Sequence, residues 1–142
     1  MTSVDVVDET YLAVPAGVLA AVFADRAAWP RLWPDLRLEA FADRGAEGIR
    51  WTVTGALVGS MEVWLEPVGP GTARPPAAAD GTVLHYFLRA DPPGPDGEPR
   101  PASPRWGVAE ASRRRRHIKR IALALKRHLE RGRPPGEPPA AT

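Results

Sequence analysis

Apolar residues recur in two rhythms along this chain, and the change of rhythm divides it. Val4 to Val14 is rich in β-branched and aromatic residues (Val4, Val6, Val7, Thr10, Tyr11, Val14) and predicts a first strand. Pro15 then suits the first position of a helix, where its missing N–H costs nothing. Val18, Leu19, Val22 and Phe23 keep helical spacing as far as Asp25. A second short helix is predicted over 27–32, with Pro30 in its first turn and Pro34 as its stop. From Leu36 the period returns to two. Leu36, Leu38 and Ala40 alternate with Arg37 and Glu39, and Phe41 follows. After the turn 43–48, Ile49, Trp51 and Val53 oppose Arg50, Thr52 and Thr54. Gly55 is expected to turn the chain, with Gly59 as the rival. Met61, Val63 and Leu65 then oppose Glu62, Trp64 and Glu66 in a fourth strand ending near Val68. Gly69 to Asp80, with three prolines and four alanines, is expected to be a flexible connector. Strand 5, residues 82–90, is apolar on both faces, so the pattern does not choose its inner side.

The last third differs. Asp91 to Pro104 contains six prolines and is expected to be extended. Ser103 is a good N-cap, with Pro104 at the first helical position. Ile118, Ile121, Ala122, Leu125 and Leu129 recur at helical spacing and predict a buried stripe on one long helix over 103–130. Gly132 is the expected terminator and 133–142 an expected disordered tail. The reading is a single α+β domain over 1–132: about five antiparallel strands in a curved sheet wrapped on the closing helix, with two short helices after strand 1. No internal repeat is visible.

Composition narrows the chemistry. At 142 residues, with 44% hydrophobic and 25% charged, the chain fits one globular domain with a real core. It has no cysteine, which excludes disulfides, thiolate metal sites and cysteine nucleophiles and fits a cytoplasmic setting. The acidic residues 1–8 lack the apolar run of a signal peptide, and no stretch approaches a membrane span. The net charge of +2 is divided unevenly. Residues 1–103 carry 8 Lys/Arg and 14 Asp/Glu, a net of −6; residues 104–142 carry 11 and 3, a net of +8.

Two segments resemble a known family. Trp29-Pro30-Arg31-Leu32-Trp33-Pro34-Asp35 looks like the tryptophan-rich passage from the second helix into strand 2 of the START-like helix-grip (SRPBCC) superfamily, especially its bacterial polyketide cyclase/dehydrase and lipid-transport branch. Trp64-Leu65-Glu66-Pro67-Val68-Gly69, followed after the insert by Gly81-Thr82-Val83-Leu84-His85-Tyr86, looks like that group's last hairpin. The likeness covers roughly residues 4–131. It implies a cavity between sheet and helix for a small hydrophobic molecule, lipid or polyketide-like; no cofactor is expected. The resembled group has more strands than the five counted here, which implies a narrower sheet and a smaller or more open cavity.

The candidate ligand residues follow from the pattern and the resemblance together. Trp33, Trp51, Tyr86 and Trp106 are candidate aromatic lining, with Ile118 and Ala122 facing them from the helix. The alternative is that the rings simply fill the core. Tyr86, with Arg50, is the candidate for orienting a carbonyl or hydroxyl. Catalysis as a cyclase or dehydratase needs an acid or base near the ligand, and His85 or Glu62 would serve only if turned inward. The alternation of strands 4 and 5 points both to solvent if Tyr86 faces in. His117 and His128 lie ~16 Å apart on a helix, too far to share a metal. No serine has the nucleophile-elbow context, and no dinucleotide fingerprint is present.

Arg113, Arg114, Arg115, Arg116, Lys119 and Arg120 remain. They read either as a solvated helix exterior or as a patch for nucleic acid or anionic membrane. Readout groups beside the charge are lacking past Trp106, which makes nucleic acid the weaker partner. Arg114 falls beside the apolar stripe and is expected to snorkel or to pair with an acid. A homodimer is compatible with the sequence.

Overall fold

The computed structural model describes residues 2–68 and 81–131. The expected connector 69–80, Gly132 and the tail 133–142 lie outside the described residues. Strict alternation over Val4–Leu12 produces β1, with Val4, Val6, Thr10 and Leu12 buried on one face. β2 (Leu36–Asp43), β3 (Gly48–Gly55), β4 (Val58–Val68) and β5 (Gly81–Asp91) complete an antiparallel sheet in the order β1-β5-β4-β3-β2. It is open, with β1 and β2 at its edges. Gly55, at φ +103°, ends β3 and makes the turn; Gly59 lies within β4. Leu57 in that turn is fully buried, though no period marks it.

Pairing decides the face of β5 that the pattern left open. Tyr86 sits opposite Val63, so Leu84, Tyr86, Leu88 and Ala90 join the buried side and His85 and Phe87 take the other. Two short helices follow β1: α1 (Ala16–Ala24), then a 3-10 turn (Arg26–Ala28) running into α2 (Trp29–Leu32). Pro15 is the N-cap of α1 rather than its first residue. Its ψ of 150° is extended, and its carbonyl accepts the Val18 N–H at 3.1 Å.

α3 (Pro104–Leu129) closes the domain. Ser103 caps it by accepting the Trp106 N–H at 3.2 Å, and Pro104 opens it. Ile118, Ile121 and Ala122 are buried, with Leu125 and Leu129 packed beside them. α3 runs along β1. The Lys119 ammonium meets Asp8 (3.0 Å) and Thr10 Oγ1 (2.8 Å), that of Lys126 meets the Tyr11 carbonyl (3.0 Å), and Glu130 accepts the Ala13 N–H (2.9 Å). Arg131, at φ 55°, takes the left-handed position expected of Gly132. The proline-rich stretch after β5 is not extended throughout. It folds back at Gly97, and Pro93 bridges Pro99, with the Arg100 N–H bonded to the Pro92 carbonyl at 2.9 Å.

Candidate functional site

Five of the seven candidate ligand residues share one buried cluster: Trp33, Trp51, Tyr86, Ile118 and Ala122. Trp33 is delivered by the end of α2, Trp51 by β3 and Tyr86 by β5. Trp33 stacks on Tyr86 at 6.4 Å between centroids and 9° between planes, and meets Trp51 at 5.6 Å. Trp29 closes on Trp51 edge-on at 5.5 Å, its own N–H donating to the Phe23 carbonyl at 2.8 Å. Such contacts add roughly 0.5–1.5 kcal/mol per pair beyond burial.

The polar atoms of this cluster are under-partnered. Nε1 of Trp33 and Nε1 of Trp51 are both buried without an acceptor among the described residues. Trp33 Nε1 approaches the Tyr86 oxygen without reaching hydrogen-bond geometry. The Tyr86 hydroxyl donates to the Met61 sulfur at 3.0 Å, a weak acceptor. Burial pushes the Tyr86 phenol well above its ordinary value, so it stays a donor.

Beside the cluster lies an ionic knot. Arg114, 4% exposed, grips Asp35 with both terminal nitrogens at 2.9 and 2.6 Å and reaches Glu110 at 3.2 Å. The hydrogen bonds from Arg114 hold the Asp35 carboxyl below its ordinary value. Burial alone would raise Glu110, but Arg113 and Arg114 outweigh it and hold Glu110 low as well. Pro34, Asp35, Arg113, Arg114, His117 and Arg120 surround a surface opening of about 340 Å³ next to this knot. The Nε2 of His117 donates to the Leu32 carbonyl at 2.6 Å, since a carbonyl can only accept.

Arg50 and Trp106 do not join the cluster. Arg50 alternates with Trp51 and so stands on the opposite face of the sheet, bonded to Glu62 at 3.0 Å. There it borders an opening of about 320 Å³ with Phe41, Ser60, Glu62, Phe87 and Arg89. Trp106 is 38% exposed, because the first turn of α3 carries it to the surface. His85 and Glu62 lie on the sheet face opposite Tyr86, as the alternation required, but His85 is buried there, 7% exposed, rather than turned to solvent. His85 is stacked between Trp64 (4.2 Å) and Phe87 (6.4 Å), and its nitrogens face Glu66 (2.9 Å) and Glu9 (3.4 Å). The Arg114–Asp35 pair was only half foreseen. The stripe position of Arg114 marked it as needing an acid, but nothing in the sequence joined residues 79 positions apart.

No protein-family model and no curated protein matches the chain. Solved structures do. A protein from Deinococcus radiodurans superposes with a TM-score of 0.52 at 18% identity, over 88% of this chain and 99% of its own. A START superfamily protein from Mycobacterium smegmatis gives 0.51 at 15% identity, over 89% and 97%. The chain has the START-like helix-grip fold. The Zhui aromatase/cyclase from Streptomyces sp. R1128 is similar at a TM-score of 0.46 and 17% identity, over 90% of this chain and 97% of its own. In this START-like domain the sheet has the five strands counted from the sequence. Among the described residues no helix is long and apolar enough to cross a membrane, and no group of three His, Cys, Asp or Glu side chains could hold a metal ion.

Proposed function

We propose that the chain binds a small hydrophobic molecule, lipid or polyketide-like, between the sheet and α3. The bound molecule carries a hydrogen-bond acceptor such as a carbonyl. The carrying observation is the pair of buried indole N–H groups without acceptors, beside a Tyr86 hydroxyl that has only a thioether. A buried donor without a partner costs about 1–3 kcal/mol, and such groups in a folded protein call for an explanation. An oxygen between Trp33, Trp51 and Tyr86 would satisfy them, while Ile118 and Ala122 cover the apolar part. The ligand enters beside α3, past the Asp35–Arg114 knot, which borders the opening near Trp33. Apolar burial at ~25 cal/mol per Å² supplies the affinity, and the three donors supply orientation. A cytoplasmic setting accords with the cysteine-free sequence.

The cyclase or dehydratase reading asks more. Tyr86 is held protonated, and Asp35 and Glu110 are held ionised on arginine. Neither state supplies a base poised near neutral pH. Binding is therefore the reading best supported.

Thermal shift against apolar ligands with and without a carbonyl, with native mass spectrometry of the purified protein, tests it. A carbonyl-bearing ligand should raise the melting temperature more than its hydrocarbon analogue. Trp51→Phe should weaken that ligand about tenfold, the value of one hydrogen bond. No shift across the panel and no copurified molecule would defeat the proposal.

A further inference from the structure

Four of the nine cations of α3 are answered by nearby carboxylates: Arg113 by Glu110 at 2.8 Å, Arg114 by Asp35 at 2.6 Å, Lys119 by Asp8 at 3.0 Å and Lys126 by Glu130 at 2.7 Å. Five are not. Among the described residues Arg105, Arg115, Arg116, Arg120 and Arg127 have no carboxylate partner, and Arg116 bonds only the Ser112 hydroxyl at 2.9 Å. Four of these form a row. At about 100° per residue Arg105, Arg116, Arg120 and Arg127 fall within roughly 60° of one another, opposite Ile118 and Leu125. At 1.5 Å rise the row runs about 33 Å, straight along the outside of the helix. Leu123, 47% exposed, sits within it, and Val108, 71% exposed, flanks it.

We infer that this row is a docking surface for a bilayer rich in anionic lipid. Three observations favour that occupant. The row is unpartnered, so its charge is available to a surface of opposite sign, where each arginine is worth roughly fivefold in partition. The apolar side chains within and beside it suit a headgroup layer, whereas against a phosphodiester backbone they gain nothing. The rest of the chain, net −6 over residues 1–103, gives the molecule a dipole that turns the helix toward such a surface. Arg120 also borders the opening beside Asp35, so a docked helix would set that opening near the lipid.

Co-sedimentation of the full chain with vesicles tests the inference directly. Vesicles of phosphatidylglycerol and phosphatidylcholine mixed equally should retain the protein at low salt and release it as salt rises. Vesicles of phosphatidylcholine alone should not retain it. The combined variant R116Q/R120Q/R127Q should lose about a hundredfold in partition with an unchanged circular dichroism spectrum, and Leu123→Gln should lose several-fold. Retention by the neutral vesicles equal to that by the charged ones, or a triple variant that partitions normally, would overturn the inference. So would duplex DNA displacing the protein from the charged vesicles at equal phosphate. None of these readouts depends on a ligand between sheet and helix, so this inference and the binding proposal stand or fall separately.

Discussion

Arg114 shows how much one residue can be asked to do. Its position on the buried side of α3 would carry a heavy desolvation cost if it stood alone. Asp35 and Glu110 remove that cost, and the bidentate grip on Asp35 pins the exit of α2 to the helix that closes the fold. Arg114→Ala leaves Glu110, whose side chain is only 10% exposed, without one of its two arginines. It should destabilise by about 3 kcal/mol, read from urea midpoints. A loss below about half a kcal/mol would mean that the pair is ornamental. The indole nitrogens of Trp33 and Trp51 are the opposite case: buried polar atoms that the chain does not answer. The stripe position of Arg114 marked its need for an acid but not which one, and the unanswered indoles were not legible at all. Tryptophan's N–H is usually answered when buried, and only coordinates reveal an exception.

At the scale of elements, α3 is set by small residues as much as by its stripe. A Cβ at Gly107 would collide with the Ser3 carbonyl, so the first turns of the helix can cross the start of β1 only because that side chain is missing. Two effects compete in Gly107→Ala. Alanine favours a helix interior by about 1 kcal/mol. The collision with backbone, which cannot swing away, costs about 1–3 kcal/mol. The collision should win, giving a lower melting temperature; a higher one would show that the helix shifts freely over β1. The strands, and the faces of β3 and β4, were readable because one side of the sheet is buried and period two then tolerates no slip. Leu57 escaped because a turn has no period, and the arrangement of the prolines after β5 escaped because their hydrogen-bond partners lie within a compact loop.

For the whole molecule, charge separation along the sequence becomes cohesion in space. Lysines and arginines of α3 meet Asp8 and Asp35 of the strand-rich body. Asp35 and Glu110 have lowered pKa values in the fold, so their contribution is complete above their unfolded values near 4 and is lost as pH falls through the folded ones. The urea midpoint should hold from neutral pH down to about 5 and drop below about 4. Asp35→Asn should make that acid decline shallower; an unchanged slope would remove Asp35 from the account. By itself the sequence determined the order of elements, the Ser103 cap of α3 and the inward faces of β3 and β4. Each of these is written in local periodicity and local backbone preference. The tertiary structure alone decided which face of β5 turns inward, that Trp106 stands apart from the tryptophan cluster, which arginines of α3 find acids and which are left in a row. Those depend on strand pairing and on contacts between residues far apart in the chain, and no local pattern encodes the partner of a charge.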